Sequence, residues 1–175
     1  MRQYVESASR TPVLSATLVV TLVLLVVVFP ALPIGGEMLD VKAGYTYAEA
    51  VAAMESYGER GRQMYAWSSL TLDALLPFVY VSFLSGFIYR LRPTERLWSL
   101  ACLPLAAGVL DLCENVQVVL MLTRYPDVSA GQVAVASWFT LSKGYAVSAC
   151  LLLAIALAAV AAVRRVRHGL RGRAA

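Results

Sequence analysis

The sequence predicts an all-α fold: a four-helix transmembrane bundle with a short extracytoplasmic helix between the first and second spans. Three observations predict it. The 175 residues are 59% hydrophobic and only 15% charged, with a mean hydropathy of +0.68. A soluble domain is about 45–50% apolar and about 25% charged. Four apolar runs each reach the roughly 20 residues that a helix needs to cross a bilayer. Arginines collect at the ends of those runs. Four spans leave only short connections, so residues 1–175 form a single integral membrane domain without a separate soluble part.

Residues 1–12 are short and polar. Residues 13–32, rich in Val and Leu, are the first span. This run exceeds the roughly 7–15 residues of a signal-peptide core, and Pro30, Pro33 and Gly35–Gly36 make a poor cleavage site. Residues 35–63 are the long polar segment. Within it, Thr46 and Glu49 have capping-box spacing, so a helix starts at Tyr47, and Gly58 is a good stop after Tyr57. Its apolar and aromatic residues suit a helix lying on the membrane surface or capping the bundle. The second span covers about 64–89, with Tyr65 and Trp67 at one end and Tyr89 at the other as an interfacial aromatic belt. Arg90, Arg92, Pro93 and Arg96 make a basic turn. The third span covers about 97–123 and the fourth about 133–163, joined by a short connection from Arg124. Arginines at 164, 165, 167, 171 and 173 close the chain.

Loop charge sets the expected orientation. With the N-terminus cytoplasmic, ten Lys or Arg fall inside, four fall outside (Lys42, Arg60, Arg62 and Arg124), and Lys143 lies within a span. The positive-inside rule then favours both termini in the cytoplasm of a multi-pass cell-membrane protein, and a bacterial inner membrane is expected. The third span is the least apolar, yet without it the arginine tail would face outward.

The net charge of +4 does not signal nucleic acid, because the basic residues flank apolar spans and no polar aromatic module accompanies them. Partners are instead the bilayer itself and anionic lipid at the arginine tail. Cys102, Cys113 and Cys150 lie in apolar runs without metal-ligand spacing and behave as small reduced hydrophobes. The one histidine, His168, sits in the basic tail, which removes imidazole-rich metal and bis-His haem sites. No cofactor is expected.

Polar residues inside the spans carry the functional signal. They are Asp73 in the second, Asp111, Glu114, Asn115 and Gln117 in the third, and Lys143 in the fourth. Each central charge costs about 2.5–3.5 kcal/mol on insertion scales, so such groups face the bundle interior and find partners. At 1.5 Å per residue, Asp73 and Glu114 lie roughly 13 Å, and Lys143 roughly 15 Å, below the outer ends of their spans. One shared cluster is therefore expected in the outer half of the membrane. Helical spacing agrees. Ser69, Asp73, Pro77 and Tyr80 form one stripe. Asp111, Glu114 and Asn115 share a face with Ala107 and Gly108, and Ala136, Thr140, Lys143 and Gly144 share another. Pro77 cannot donate to the carbonyl of Asp73.

The bland account is a buried ion-pair network that fixes helix register. Against it stands the imbalance of three carboxylates to one lysine, which leaves room for a proton or a cation. The functional reading is a polar intramembrane site for a lipid headgroup, a cation or protons, built from Asp73, Asp111, Glu114, Asn115, Lys143, Thr140 and Tyr80. The alternative is an accessory subunit whose charges serve assembly with another membrane protein or a second copy. A membrane-embedded enzyme ranks below both; in it Asp73, Asp111 or Glu114 acts as base or metal ligand and Lys143 as electrostatic stabiliser. Arg60 and Arg62, in Gly58-Glu-Arg-Gly-Arg, are candidate anion contacts at the outer mouth, with a plain reading as solvated interface anchors. Tyr80 and Tyr145 are candidate cavity walls, with packing as the plain reading.

The order of motifs, Asp40-x-x-x-Gly44-Tyr45-Thr46-x-x-Glu49-Ala50, Gly61-Arg62-x-x-Tyr65, Asp73-x-x-x-Pro77, Asp111-x-x-Glu114-Asn115 and Lys143, resembles a family of small bacterial four-helix integral membrane proteins. The resemblance covers roughly residues 36–145 and implies a fold but no reaction. The chain resembles the vitamin K epoxide reductase type only in its four-helix plan, because it has no Cys-x-x-Cys.

Overall fold

The computed structural model describes residues 1–171, with side chains through Arg167. Arg173, and the side chains of His168 and Arg171, lie outside the described residues. The fold is all-helical: α1 (Arg2–Ala8), α2 (Thr11–Val23), α3 (Tyr47–Leu70), α4 (Leu72–Leu91), α5 (Leu103–Arg124) and α6 (Ala130–Arg171). A π-helical turn, Leu24–Val28, and a 3-10 turn, Phe29–Ala31, prolong α2, and a 3-10 stretch, Glu95–Cys102, precedes α5. Among the described residues, four stretches are long and apolar enough to cross a membrane: Thr11–Ala31, Tyr47–Leu91, Glu95–Arg124 and Ala130–Arg167. They define a multi-pass membrane protein with a bundle fold.

Local chemistry accounts for the breaks. Pro30 lacks the N–H that would bond to Val26, and its ring crowds that carbonyl, so the end of the first span widens into a π turn and then tightens. The capping box at Thr46 forms in full: the Thr46 N–H donates to Glu49 Oε2 at 2.7 Å, and the Glu49 N–H donates to Thr46 Oγ1 at 3.3 Å. Gly58 ends regular helix with a φ of 63°, but the chain resumes at once, so the capping helix and the second span form one kinked element.

That second span is itself broken, against the expected continuous helix over 64–89. Thr71 has φ −118° and ψ −80° between α3 and α4. Hydroxyls compete with the backbone here: Ser68 Oγ donates to the Tyr65 carbonyl and Thr71 Oγ1 to the Trp67 carbonyl. Pro77 weakens the first turn of α4 further. The aromatic belt is also only partly present. Trp67 is exposed, whereas Tyr65 and Tyr89 are buried and hydrogen-bonded. Residues 2–8, expected as a polar lead-in, form α1 and pack on α4. The third span begins in 3-10 geometry and is α-helical only from Leu103, while α6 runs past both expected ends of the fourth.

α4 and α5 form the centre of the bundle. α5 packs on α3, α4 and α6, while α2 packs on α4 and makes at most marginal contact with α6. Large apolar side chains of the first span and α6, including Val26, Leu152 and Ile155, are exposed and suit lipid. Two apolar cores result. One joins Val5, Leu84, Ile88, Ala101 and Ala154, and the other joins Ile34, Leu39, Met54, Tyr65, Met121 and Val133.

α1 and the Arg164 region of α6 share one end of the bundle. There Arg2 pairs with Glu95 at 3.1 Å, Arg90 donates to Thr11 at 2.9 Å and Arg164 donates to the Pro93 carbonyl at 3.3 Å. The Tyr89 hydroxyl donates to Glu6 at 2.8 Å; that bond and Arg2 hold the Glu6 carboxyl below the usual carboxylate range. At the opposite end, residues 32–46 form a strap over the helix ends. The Tyr57 hydroxyl donates to the Glu37 carbonyl at 2.5 Å, and the Tyr45 N–H donates to Ser137 Oγ at 2.8 Å.

Close backbone approach fixes the strap and α1. A Cβ on Gly61 would stand 2.1 Å from the Ile34 carbonyl oxygen, and one on Gly86 would stand 2.3 Å from the Ala8 carbonyl oxygen. Gly144 has nothing within 4 Å. Gly61→Ala and Gly86→Ala should each destabilise the protein by about 1–3 kcal/mol through overpacking. Gly144→Ala should be neutral or stabilise by up to about 1 kcal/mol through helix propensity. Thermal unfolding in detergent measures all three, and equal loss from Gly144→Ala would contradict the assignment of its face to lipid.

Candidate functional site

A polar layer separates the two apolar cores. On α5, Asp111, Glu114 and Asn115 lie between Ala107 of one core and Val118 of the other. On α6, Thr140 and Lys143 lie between Ala136 and Cys150. On the broken second span, Ser69 and Asp73 lie between Tyr65 and Leu76. The break at Thr71 puts Asp73 in the first turn of α4, where free amide N–H groups favour a carboxylate.

Lys143 is the hub. Its Nζ lies 3.5 Å from Asp111 Oδ1 and pairs closely with Glu114 Oε2. Both carboxylates are buried, and Glu114 Oε1 has no hydrogen-bond partner in the protein. Thr140 donates to the Ala136 carbonyl at 3.3 Å and stands beside Glu114. The Tyr80 hydroxyl neighbours Asp111 without reaching hydrogen-bond geometry, and both side-chain polar atoms of Asn115 are unpaired. Asp73 is 5% exposed, and its Oδ2 also has no partner.

An open cavity of about 410 Å³ reaches this layer from the strap end. Asp73, Leu76 and Lys143 line its depth, Leu25 and Phe29 of the first span one side, and Glu37 and Asp40 of the strap its mouth. Asp40 is the member that the intramembrane inventory missed, because it lies outside every span. Tyr65 holds it over the layer: the phenol donates to Asp40 Oδ1 at 2.9 Å and accepts from the Asp40 N–H at 3.2 Å. The legible signal was the presence of both Asp40 and Tyr65 in the motif order, with nothing there to pair them. Tyr45 follows on the strap and packs toward Thr140; burial pushes its phenol up to about 12, so it is neutral at physiological pH.

The structure thus brings Asp73, Tyr80, Asp111, Glu114, Asn115, Thr140 and Lys143 into one buried layer. Other candidates lie elsewhere. Gly144 and Tyr145 are exposed on the outer face of α6. Gln117 accepts from Gln132 Nε2 at 2.6 Å, away from the charges. Arg60 and Arg62 do not line the cavity. Arg62 instead donates to the Met54 carbonyl at 2.9 Å, just before the Gly58 kink, and stacks over Tyr125 with 4.3 Å to the ring centre. Arg60 is exposed near Trp67.

No family model, curated protein or solved structure matches the chain. The site is therefore defined by its own chemistry, as a polar layer in a multi-pass membrane protein. Among the described residues, no three His, Cys, Asp or Glu side chains are arranged to hold a metal ion together.

Removing the hub should strand buried negative charge. Lys143→Ala should destabilise the protein by about 3–5 kcal/mol. Lys143→Met with Glu114→Gln should recover much of that loss, because the double change removes charge of both signs. Denaturation in detergent checks the cycle. A double variant as damaged as the sum of the singles would show that the pair does not couple as placed.

Proposed function

We propose that this membrane protein binds a cationic group at its polar layer, entering from the strap end. The group is a proton, an inorganic cation or the charged head of a lipid. The observation that carries the reading is Asp73: its buried side chain lines an open cavity and its enclosed Oδ2 has no partner, while the nearby ammonium already serves two other carboxylates. An accessory subunit held together by its charges requires a sealed layer with its polar atoms paired. The open cavity and the unpaired atoms of Asp73, Tyr80 and Asn115 support the binding reading over that one.

The ten-to-four distribution of Lys and Arg supports placing both termini in the cytoplasm and the strap outside, in a cell membrane such as the bacterial inner membrane. The shared end of α1 and the Arg164 region of α6 fits this orientation. Arg164, Arg165 and Arg167 then meet anionic lipid on the inner face, and Arg60 beside Trp67 is placed to meet lipid phosphate on the outer one.

Two measurements test these proposals. In nanodiscs, a carboxyl infrared band should respond to pH or to added sodium or methylammonium, and Asp73→Asn should abolish that response. A band indifferent to all three would remove the binding reading. For orientation, single cysteines replacing Ala52 and Ser129, in a background without native thiols, should react with an impermeant reagent on intact cells. Cysteine at Thr94 should react only after the membrane is opened. The reverse pattern would invert the topology.

A further inference from the structure

Resting on that reading, we infer that the ligand is an amphiphile with an ammonium head, seated at Asp73 with its chain in the fissure between the first span and α6. Shape is the first reason. The first span packs on α4 and makes at most marginal contact with α6, and the cavity has Leu25, Phe29 and Pro30 of the first span on one side and Lys143 of α6 in its lining. Leu25 and Phe29 line the cavity on the first-span side, and Leu25 is 49% exposed. Leu76 carries the apolar surface inward to Asp73. A hydrated inorganic cation gains nothing from these walls. An alkyl chain packs against them as it does against lipid tails.

Charge is the second reason. The Lys143 ammonium is engaged by Asp111 and Glu114, and Lys42 at the mouth pairs with Glu37 at 3.3 Å. Asp40 already accepts from Tyr65. Asp73 is the buried cavity-lining carboxylate whose Oδ2 no protein group satisfies. An ammonium brings three donors and the compensating charge. An alcohol brings one donor and no charge, and a carboxylate or phosphate alone meets like charge. Size is the third reason. A volume of about 410 Å³ falls within the roughly 300–1,000 Å³ of ligand pockets, far above a single water's roughly 30 Å³ share of the liquid.

Photolabelling of the full chain in phosphatidylcholine nanodiscs tests the inference. The probes are a long-chain alkylamine with a diazirine midway along its chain and the alcohol and carboxylate of equal length. The amine should label the fissure at Leu25, Phe29 or Leu76 about tenfold or more above the alcohol, the ratio expected of a charge-assisted contact. Asp73→Asn should reduce the amine to the alcohol's level. Leu25→Trp, on a partly lipid-facing position, should block labelling by filling the fissure while leaving Asp73 intact. Competition by phosphatidylethanolamine added to the nanodisc assigns the headgroup to a resident lipid; indifference to it assigns a free long-chain amine. Equal labelling by amine and alcohol, or an amine preference that survives Asp73→Asn, overturns the inference. If methylammonium still moves the carboxyl band in that case, the cationic site stands and only the amphiphile falls. If the band ignores pH, sodium and methylammonium alike, both fall.

Discussion

Asp111 and Glu114 sit in the middle of a membrane bundle, and the Lys143 ammonium is what makes their burial tolerable. Each charge placed at such depth costs about 2.5–3.5 kcal/mol on insertion scales before it finds a partner. The bridge offsets part of that cost only if α6 lies against α5 in one register. It thereby fixes how Ala136 and Cys150 meet the apolar cores on either side. Asp73 and Asp40 extend the layer beyond what one lysine can neutralise, and the cavity of about 410 Å³ is on their side.

Irregular backbone gathers at the same place. The π turn of Leu24–Val28 carries Leu25 on the cavity wall, and the break at Thr71 precedes Asp73. Within a bilayer, backbone groups released from helical pairing are tolerated where they are buried in protein or line a polar cavity. A cavity between the first span and the strap provides such a setting. By contrast α6, which crosses without a described break, presents exposed side chains such as Leu152 and Ile155 toward lipid. Local departures from the helix and the polar layer thus have a common physical setting.

Much of this was legible because helical geometry is nearly one-dimensional. Depth follows from rise per residue, and facing follows from 3 and 4 spacing. Those two rules sufficed to place Asp73, Asp111, Glu114 and Lys143 in one layer. They failed where side chains act on backbone. The hydroxyls of Ser68 and Thr71 and the ring of Pro77 act together on the second span, and no periodicity reports that. Tyr65 reads as an interfacial aromatic by position, yet its partner Asp40 lies 25 residues earlier in a segment without periodicity. α1 was missed because seven residues are too few to show an apolar face. Its burial depends on Gly86, whose missing side chain admits the Ala8 carbonyl.

The strap joins the two levels of the structure. Gly61 lets Ile34 reach the backbone of α3, and Tyr57 and Ser137 tether the segment on either side of Asp40. These contacts are backbone-directed, so they set the position of Asp40 with little dependence on neighbouring side-chain identity. The first span, in contrast, is held along its length mainly by α4 and by its two ends. The charged floor of the cavity is consequently pinned from the strap, α4 and α6, while its apolar side rests on the least embraced of the four spans. A site built this way keeps its polar geometry fixed and leaves its lipid-facing wall the part most able to yield.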